Sequence, residues 1–139
     1  MKSYTAAETI HATPERIWEI LTDAGTYSDW DNGINTVEGS IIQDAHITVH
    51  SLDDPGGHGM TVTDLTPGRS MVWEEGMPLG LFKEVRTFRL LSEVSGTTRF
   101  SMSEDISGPL TMLKRKSLGD VQIRLNKFAA GLKEIAEAA

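Results

Sequence analysis

Hydrophobic residues near the carboxyl end of the chain recur at the spacing of an amphipathic helix. They step by 3, 4, 3, 4 and 3 residues, at Leu118, Val121, Leu125, Phe128, Leu132 and Ile135. Such steps place the side chains on one face of an α-helix. The pattern predicts a long helix over residues 109–137. Gly119 and Gly131 inside it each disfavour the helix by about 1 kcal/mol relative to alanine, which predicts a bend or a close backbone contact.

The amino-terminal part of the chain predicts a strand followed by a short helix. Residues 3–11 alternate loosely and are rich in threonine, which favours a strand. Thr13 is a good helix N-cap, and Pro14 fits the first helical position, where its missing N–H costs nothing. Apolar residues at helical spacing continue until Gly25 ends the segment. Turn-forming residues follow, with room for one further helical turn near Trp30.

Residues 35–107 have the pattern of β-structure. Runs of valine, isoleucine and threonine are interrupted by turn sequences, for example at residues 53–57 and 66–68. The turns separate six predicted strands, over residues 35–42, 45–52, 59–65, 70–75, 82–91 and 97–106. The connections are too short for helices, so the strands are expected to pair as antiparallel hairpins.

The composition of the chain indicates its size class and excludes several kinds of function and site. The chain has 139 residues, 39% hydrophobic and 24% charged, which predicts one globular domain over residues 1–139. The net charge of −7 argues against nucleic-acid binding, because that rests on clustered basic residues. The absence of cysteine excludes disulfides, thiolate nucleophiles and Cys-ligated metals. No apolar stretch approaches the roughly 20 residues that span a bilayer, and no signal-peptide pattern is present, so a cytoplasmic location is expected.

Four segments resemble landmarks of one superfamily. Residues 10–18, IHATPERIW, resemble the strand-to-helix opening of the START-like, helix-grip (SRPBCC) superfamily, which includes polyketide cyclases/dehydratases, lipid-transfer domains and co-chaperone domains. Residues 21–30, 64–73 and 96–110 resemble its first-helix exit, its mid-sheet hairpin and the entry to its last helix. The resemblance covers essentially the whole chain and points to the bacterial polyketide-cyclase-like branch.

The resemblance implies an α+β helix-grip fold. In this fold a seven-stranded curved antiparallel sheet wraps around a long C-terminal helix, with one or two short helices after the first strand. An internal apolar cavity is implied as well. A particular chemistry is not implied, because one scaffold hosts carriers, receptors, cyclases and co-chaperones.

Part of the hydrophobic core is expected to line that cavity, because ligand sites are mostly apolar. The candidate ligand-binding residues are Trp30, Met71, Trp73, Phe82, Phe88, Phe100, Met102 and Phe128. Ordinary core packing is the alternative for each of them. Trp30 lies among polar residues and is the candidate for the cavity mouth, with a lid packed on the sheet as its alternative.

Two charged residues fall on strand faces that are otherwise apolar. Glu104 alternates with Met102 and Ile106, and Arg86 alternates with Phe88, so both are expected to point towards the helix. A buried carboxylate needs a partner or a raised pKa, and Arg86 would supply the partner. Glu104 and Arg86 are therefore the candidate catalytic or ligand-orienting residues. A purely structural ion pair is the weightier alternative.

The histidines do not form a recognisable metal-binding pattern. His46 and His50 share a face of one predicted strand, but four residues of strand separate them by about 13 Å. Exposure to solvent is the simpler expectation for both. His58 lies at residues 56–59, a glycine-rich segment predicted to be a flexible hairpin tip. No metal and no other cofactor are expected.

Two main functions follow from the resemblance and these residues. The first is binding of a small apolar or aromatic ligand, lipid-like or polyketide-like, between sheet and helix. The second is a polyketide cyclase or dehydratase, in which Glu104 or a histidine removes a proton next to a carbonyl and Arg86 stabilises the enolate. A co-chaperone-like interaction module is a third class. A small hydrophobic partner is expected, without nucleic acid or stable membrane insertion, and a homodimer is left open.

Overall fold

A seven-stranded antiparallel sheet and a C-terminal helix form the framework of the structure. The computed structural model describes residues 2–51, 54–114 and 121–138. The strands are β1 (Lys2–Ile10), β2 (Thr36–Glu38), β3 (His46–Ser51), β4 (Asp54–Thr66), β5 (Ser70–Gly76), β6 (Lys83–Ser92) and β7 (Thr98–Ser107). They lie in the order β1-β7-β6-β5-β4-β3-β2, so consecutive hairpins run from β2 to β7 and β1 pairs with β7. This is the predicted architecture.

The first helix, α1 (Pro14–Thr22), begins where the sequence predicts. The Thr13 hydroxyl accepts a hydrogen bond from the Arg16 amide at 3.2 Å, which satisfies one of the free N–H groups of the first turn. A 3₁₀ helix, Ala24–Asp29, follows and carries the buried Tyr27. No helix among the described residues is long and apolar enough to cross a membrane.

The C-terminal helix, α2 (Val121–Glu137), packs against the sheet through the predicted apolar face. Its buried residues include Val121, Leu125, Phe128 and Leu132. Leu118 and Gly119, which the prediction placed in this helix, lie outside the described residues.

The segment Pro109–Lys114 forms a separate 3₁₀ helix, and not the α-helical turns that the sequence predicted. The Leu110 amide donates to the Leu81 carbonyl at 2.9 Å, and the Thr111 amide donates to the Gly108 carbonyl at 3.1 Å. The connection between β5 and β6 therefore holds this segment by a tertiary hydrogen bond. Helical periodicity in a sequence does not reveal such a bond.

The amino end of β4 also differs from the prediction. The strand begins at Asp54, and His58 pairs with Val49 of β3, where a flexible hairpin tip was predicted. Gly57 allows the strand to continue at this point, because it adopts a positive φ of 79° that other residues rarely take. As a result, His58 shares the inner face of β4 with the buried Met60 and Val62.

Gly131 of α2 lies directly against the loop that follows the first 3₁₀ helix. A Cβ atom at this position would overlap the carbonyl oxygen of Asp31. This is a close backbone contact of the kind that the sequence predicted, and it explains why a glycine stands inside a helix.

We expect Gly131→Ala to lower the free energy of unfolding by about 1–3 kcal/mol, because α2 must move away from Asp31 to make room. Urea denaturation monitored by tryptophan fluorescence measures this. Gly56→Ala is the control, since its added Cβ meets nothing within 4 Å. Equal stability of Gly131→Ala and the unmodified protein would contradict the contact.

Candidate functional site

A partly open cavity of about 270 Å³ lies between the inner face of the sheet and α2. Its apolar wall is formed by Ile34, Val49, Phe82, Met102, Ile106, Val121, Leu125 and Phe128. Its polar side includes Asp54, His58, Glu75, Glu84, Arg86, Glu104 and Arg124. An apolar cavity of about 150 Å³ is enough to hold benzene, so this one has room for a larger small molecule.

Arg86 and Glu104 form a buried ion pair on the polar side. They are directly opposite each other in the register of β6 and β7, and their exposed fractions are 9% and 1%. Two nitrogens of Arg86, Nε and Nη2, donate to Oε1 of Glu104 at 2.8 and 2.6 Å. The sequence predicted both the inward orientation and the pairing. Burial opposes ionisation of Glu104, but the charge and hydrogen bonds of Arg86 hold its pKa below the ordinary value.

Two further glutamates stand beside this ion pair. Glu84 precedes Arg86 on the same face of β6, and Glu75 is its cross-strand partner on β5. Burial raises the pKa of Glu84 to about 8, and the negative charge of Glu104 adds to the effect. Glu84 is therefore mostly protonated at neutral pH, and the neighbouring Glu75 also contributes to the raised pKa.

His58 completes the polar side from β4. Its Nδ1 atom lies 3.0 Å from Oδ2 of Asp54, and this contact orients the ring. One potential ligand atom from each of His58, Glu75 and Glu84 lies within 4.8 Å of the others. We call these three residues the His58–Glu75–Glu84 cluster.

Comparison with known proteins identifies the family. The family described as "Polyketide cyclase / dehydrase and lipid transport" matches residues 1–137. The chain belongs to this polyketide cyclase/dehydrase family. No curated protein sequence gives a significant match.

Solved structures similar to this polyketide cyclase/dehydrase family member share its fold at low sequence identity. The Zhui aromatase/cyclase from Streptomyces sp. R1128 has a TM-score of 0.74 at 15% identity, covering 98% of this chain and 93% of that one. A START superfamily protein from Mycobacterium smegmatis has a TM-score of 0.62 at 13% identity, with 96% and 98% covered. The Aha1 dimer from Colwellia psychrerythraea has a TM-score of 0.69 at 20% identity, with 99% and 100% covered. The helix-grip fold predicted from the sequence is thereby confirmed.

The predicted ligand-binding residues of this family member fall into two groups. Phe82, Met102 and Phe128 line the cavity. The others are buried in the aromatic and aliphatic core outside the cavity lining, namely Trp30, Met71, Trp73, Phe88 and Phe100. Contact between any of these residues and a ligand stays a prediction.

Sequence reasoning missed the His58–Glu75–Glu84 cluster. A usable signal was present, because His58 alternates with Met60 and Val62, as Glu75 does with Trp73. The turn-forming residues 53–57 hide this signal, because they predict a hairpin tip where β4 has already begun. His46 and His50 do not line the cavity.

Proposed function

We propose that this member of the polyketide cyclase/dehydrase and lipid transport family binds a small molecule with an apolar or aromatic body and one polar group. The observation that carries the proposal is the division of the cavity, with Phe82, Met102 and Phe128 on its apolar wall and charged residues on its polar side. Apolar contacts would supply most of the affinity, at about 25 cal/mol for each Å² buried, before the costs of association.

Arg86 is the residue best placed to orient the polar group of such a ligand. A guanidinium has five N–H donors in a fixed plane, and Arg86 directs two nitrogens to Glu104. Its remaining donors can serve a carbonyl or hydroxyl oxygen. Glu104 fixes the guanidinium plane, so the ion pair would act as a rigid ligand-orienting group.

An enzyme of the cyclase or dehydratase type is the second candidate, because the charged groups lie next to an apolar wall where a carbonyl substrate would fit. The lowered pKa of Glu104 argues against this residue as the base of such an enzyme. A carboxylate whose pKa is held low by Arg86 is a weak base, which makes Glu104 poorly suited to remove a proton from carbon. Loss of turnover in Glu104→Gln with unchanged ligand binding would instead support the enzyme.

The binding proposal can be tested with the neutral fluorescent probe N-phenyl-1-naphthylamine in a buffer that contains EDTA. Leu125→Trp places an indole in the cavity, and we expect it to weaken probe binding at least tenfold. Ile123→Trp is the matched control on the exposed face of the same helix, where Ile123 is 65% exposed. Circular dichroism melting verifies that both variants are folded. Equal probe affinity in the two variants would place the probe elsewhere and contradict the proposal.

Native mass spectrometry of the protein purified from cells complements this experiment. A retained small molecule would give the chemical class of the natural ligand after extraction. The same spectrum tests whether the chain forms a homodimer, which the sequence leaves open. The cytoplasmic location stays a prediction.

A further inference from the structure

We propose that the His58–Glu75–Glu84 cluster binds one divalent transition-metal ion, with a ring nitrogen of His58 and one oxygen from each carboxylate as ligands. One ligand atom from each residue already lies within 4.8 Å of the others. Metal–nitrogen and metal–oxygen bonds of about 2.0–2.2 Å require these atoms to approach each other by a small movement of flexible side chains.

The orientation of His58 supports this assignment. Asp54 faces Nδ1 at 3.0 Å, and a carboxylate behind the ring is the arrangement that commonly fixes a metal-ligating histidine. The other ring nitrogen, Nε2, is buried and has no hydrogen-bond partner among the described residues. Buried nitrogen atoms without a partner are uncommon in folded proteins. A metal ion would provide the missing partner of Nε2.

The strand register brings two carboxyl groups to the same place. Glu75 and Glu84 are directly opposite each other on β5 and β6, so both side chains project to the polar side of the cavity. A divalent ion bound there would take one oxygen from each carboxyl group.

The ligand set indicates the class of metal and what it could do. One imidazole and two carboxylates suit zinc, cobalt, manganese or iron better than calcium or magnesium, which prefer oxygen ligands alone. Three protein ligands leave at least one coordination position for water or an organic molecule. The cluster lines the cavity, so that position would be available to a carbonyl oxygen of a bound ligand.

Isothermal titration calorimetry with Zn²⁺ tests the proposal on the full chain after EDTA treatment and buffer exchange. We expect one ion per chain, and we expect His58→Ala and Glu75→Gln each to weaken Zn²⁺ binding at least tenfold. Co²⁺ provides a second readout, since visible absorption bands should appear in the unmodified protein and be lost in His58→Ala. Glu74→Gln removes the neighbouring charge on the other face of β5, and His46→Ala removes an exposed strand histidine; both should bind Zn²⁺ normally.

Three results would overturn the metal site. The first is no saturable Zn²⁺ binding by the unmodified protein. The second is unchanged affinity in both His58→Ala and Glu75→Gln. The third is loss of binding in His50→Ala with retention in His58→Ala, which would move the ion to the His50–Glu38 contact on the outer face. Thermal melting in EDTA checks the fold of each variant, and Glu75→Gln is decisive if His58→Ala unfolds. Probe binding is measured in EDTA, so the ligand and metal proposals fail separately.

Discussion

Replacing Arg86 with methionine is expected to lower the free energy of unfolding by about 3–5 kcal/mol at pH 7. Glu104 is 1% exposed, and Arg86 supplies two hydrogen bonds to its Oε1 atom. Without the guanidinium, the folded protein must keep an uncompensated carboxylate in its interior or protonate it. Urea denaturation gives the stability difference, and a loss below about 1 kcal/mol would show that water or another group compensates Glu104.

The double variant Arg86→Met/Glu104→Leu measures how much of the stability lost in Arg86→Met comes from the unpaired carboxylate of Glu104. Removing both charges leaves no unpaired buried carboxylate at position 104, so the double variant should be more stable than Arg86→Met alone. The same variant distinguishes a structural pair from a ligand-orienting one. If stability recovers but binding of a carbonyl-containing ligand does not, the pair acts on the ligand. Recovery of both would assign the pair to the fold alone.

The fold could be predicted because it depends on patterns that a sequence displays directly. The steps of three and four residues before Phe128 and Leu132 define the buried face of α2, and strand alternation places Glu104 and Arg86 inward. Both patterns follow from the geometry of a single element. The register of β6 and β7 has no shift here and pairs Arg86 directly with Glu104. The two side chains that alternation predicts to point inward therefore come into contact.

The candidate site was less predictable because it depends on how neighbouring elements are aligned. Alternation shows that Trp73 and Met102 both point inward, but not that only Met102 reaches the cavity. Which inward-pointing side chains line the cavity depends on the position of α2 along the sheet. The meeting of His58 with Glu75 and Glu84 depends on the register of three strands. A bulge between β3 and β4, together with the positive φ of Gly57, sets part of that register.

Phe128 is the second position where a large effect is expected. Its ring lies at centroid distances of 5.2 Å from Trp30, 5.7 Å from Phe88, and 6.3 Å from both Tyr27 and Phe100. Phe128→Ala removes this shared contact and should lower the free energy of unfolding by about 3–5 kcal/mol, because the surrounding rings cannot all close the space. Ile123→Ala on the exposed face of α2 is the control, with an expected change within about 0.5 kcal/mol.

Phe128 also lines the cavity, so its removal should change how a ligand affects stability. A molecule that binds only the folded protein stabilises it by mass action. If N-phenyl-1-naphthylamine occupies the space beside the ring, it can extend into the volume that Phe128→Ala opens. Saturating probe should then raise the melting temperature of Phe128→Ala more than that of the unmodified protein. Equal increases would mean that the probe binds away from Phe128, and that the ring serves packing alone.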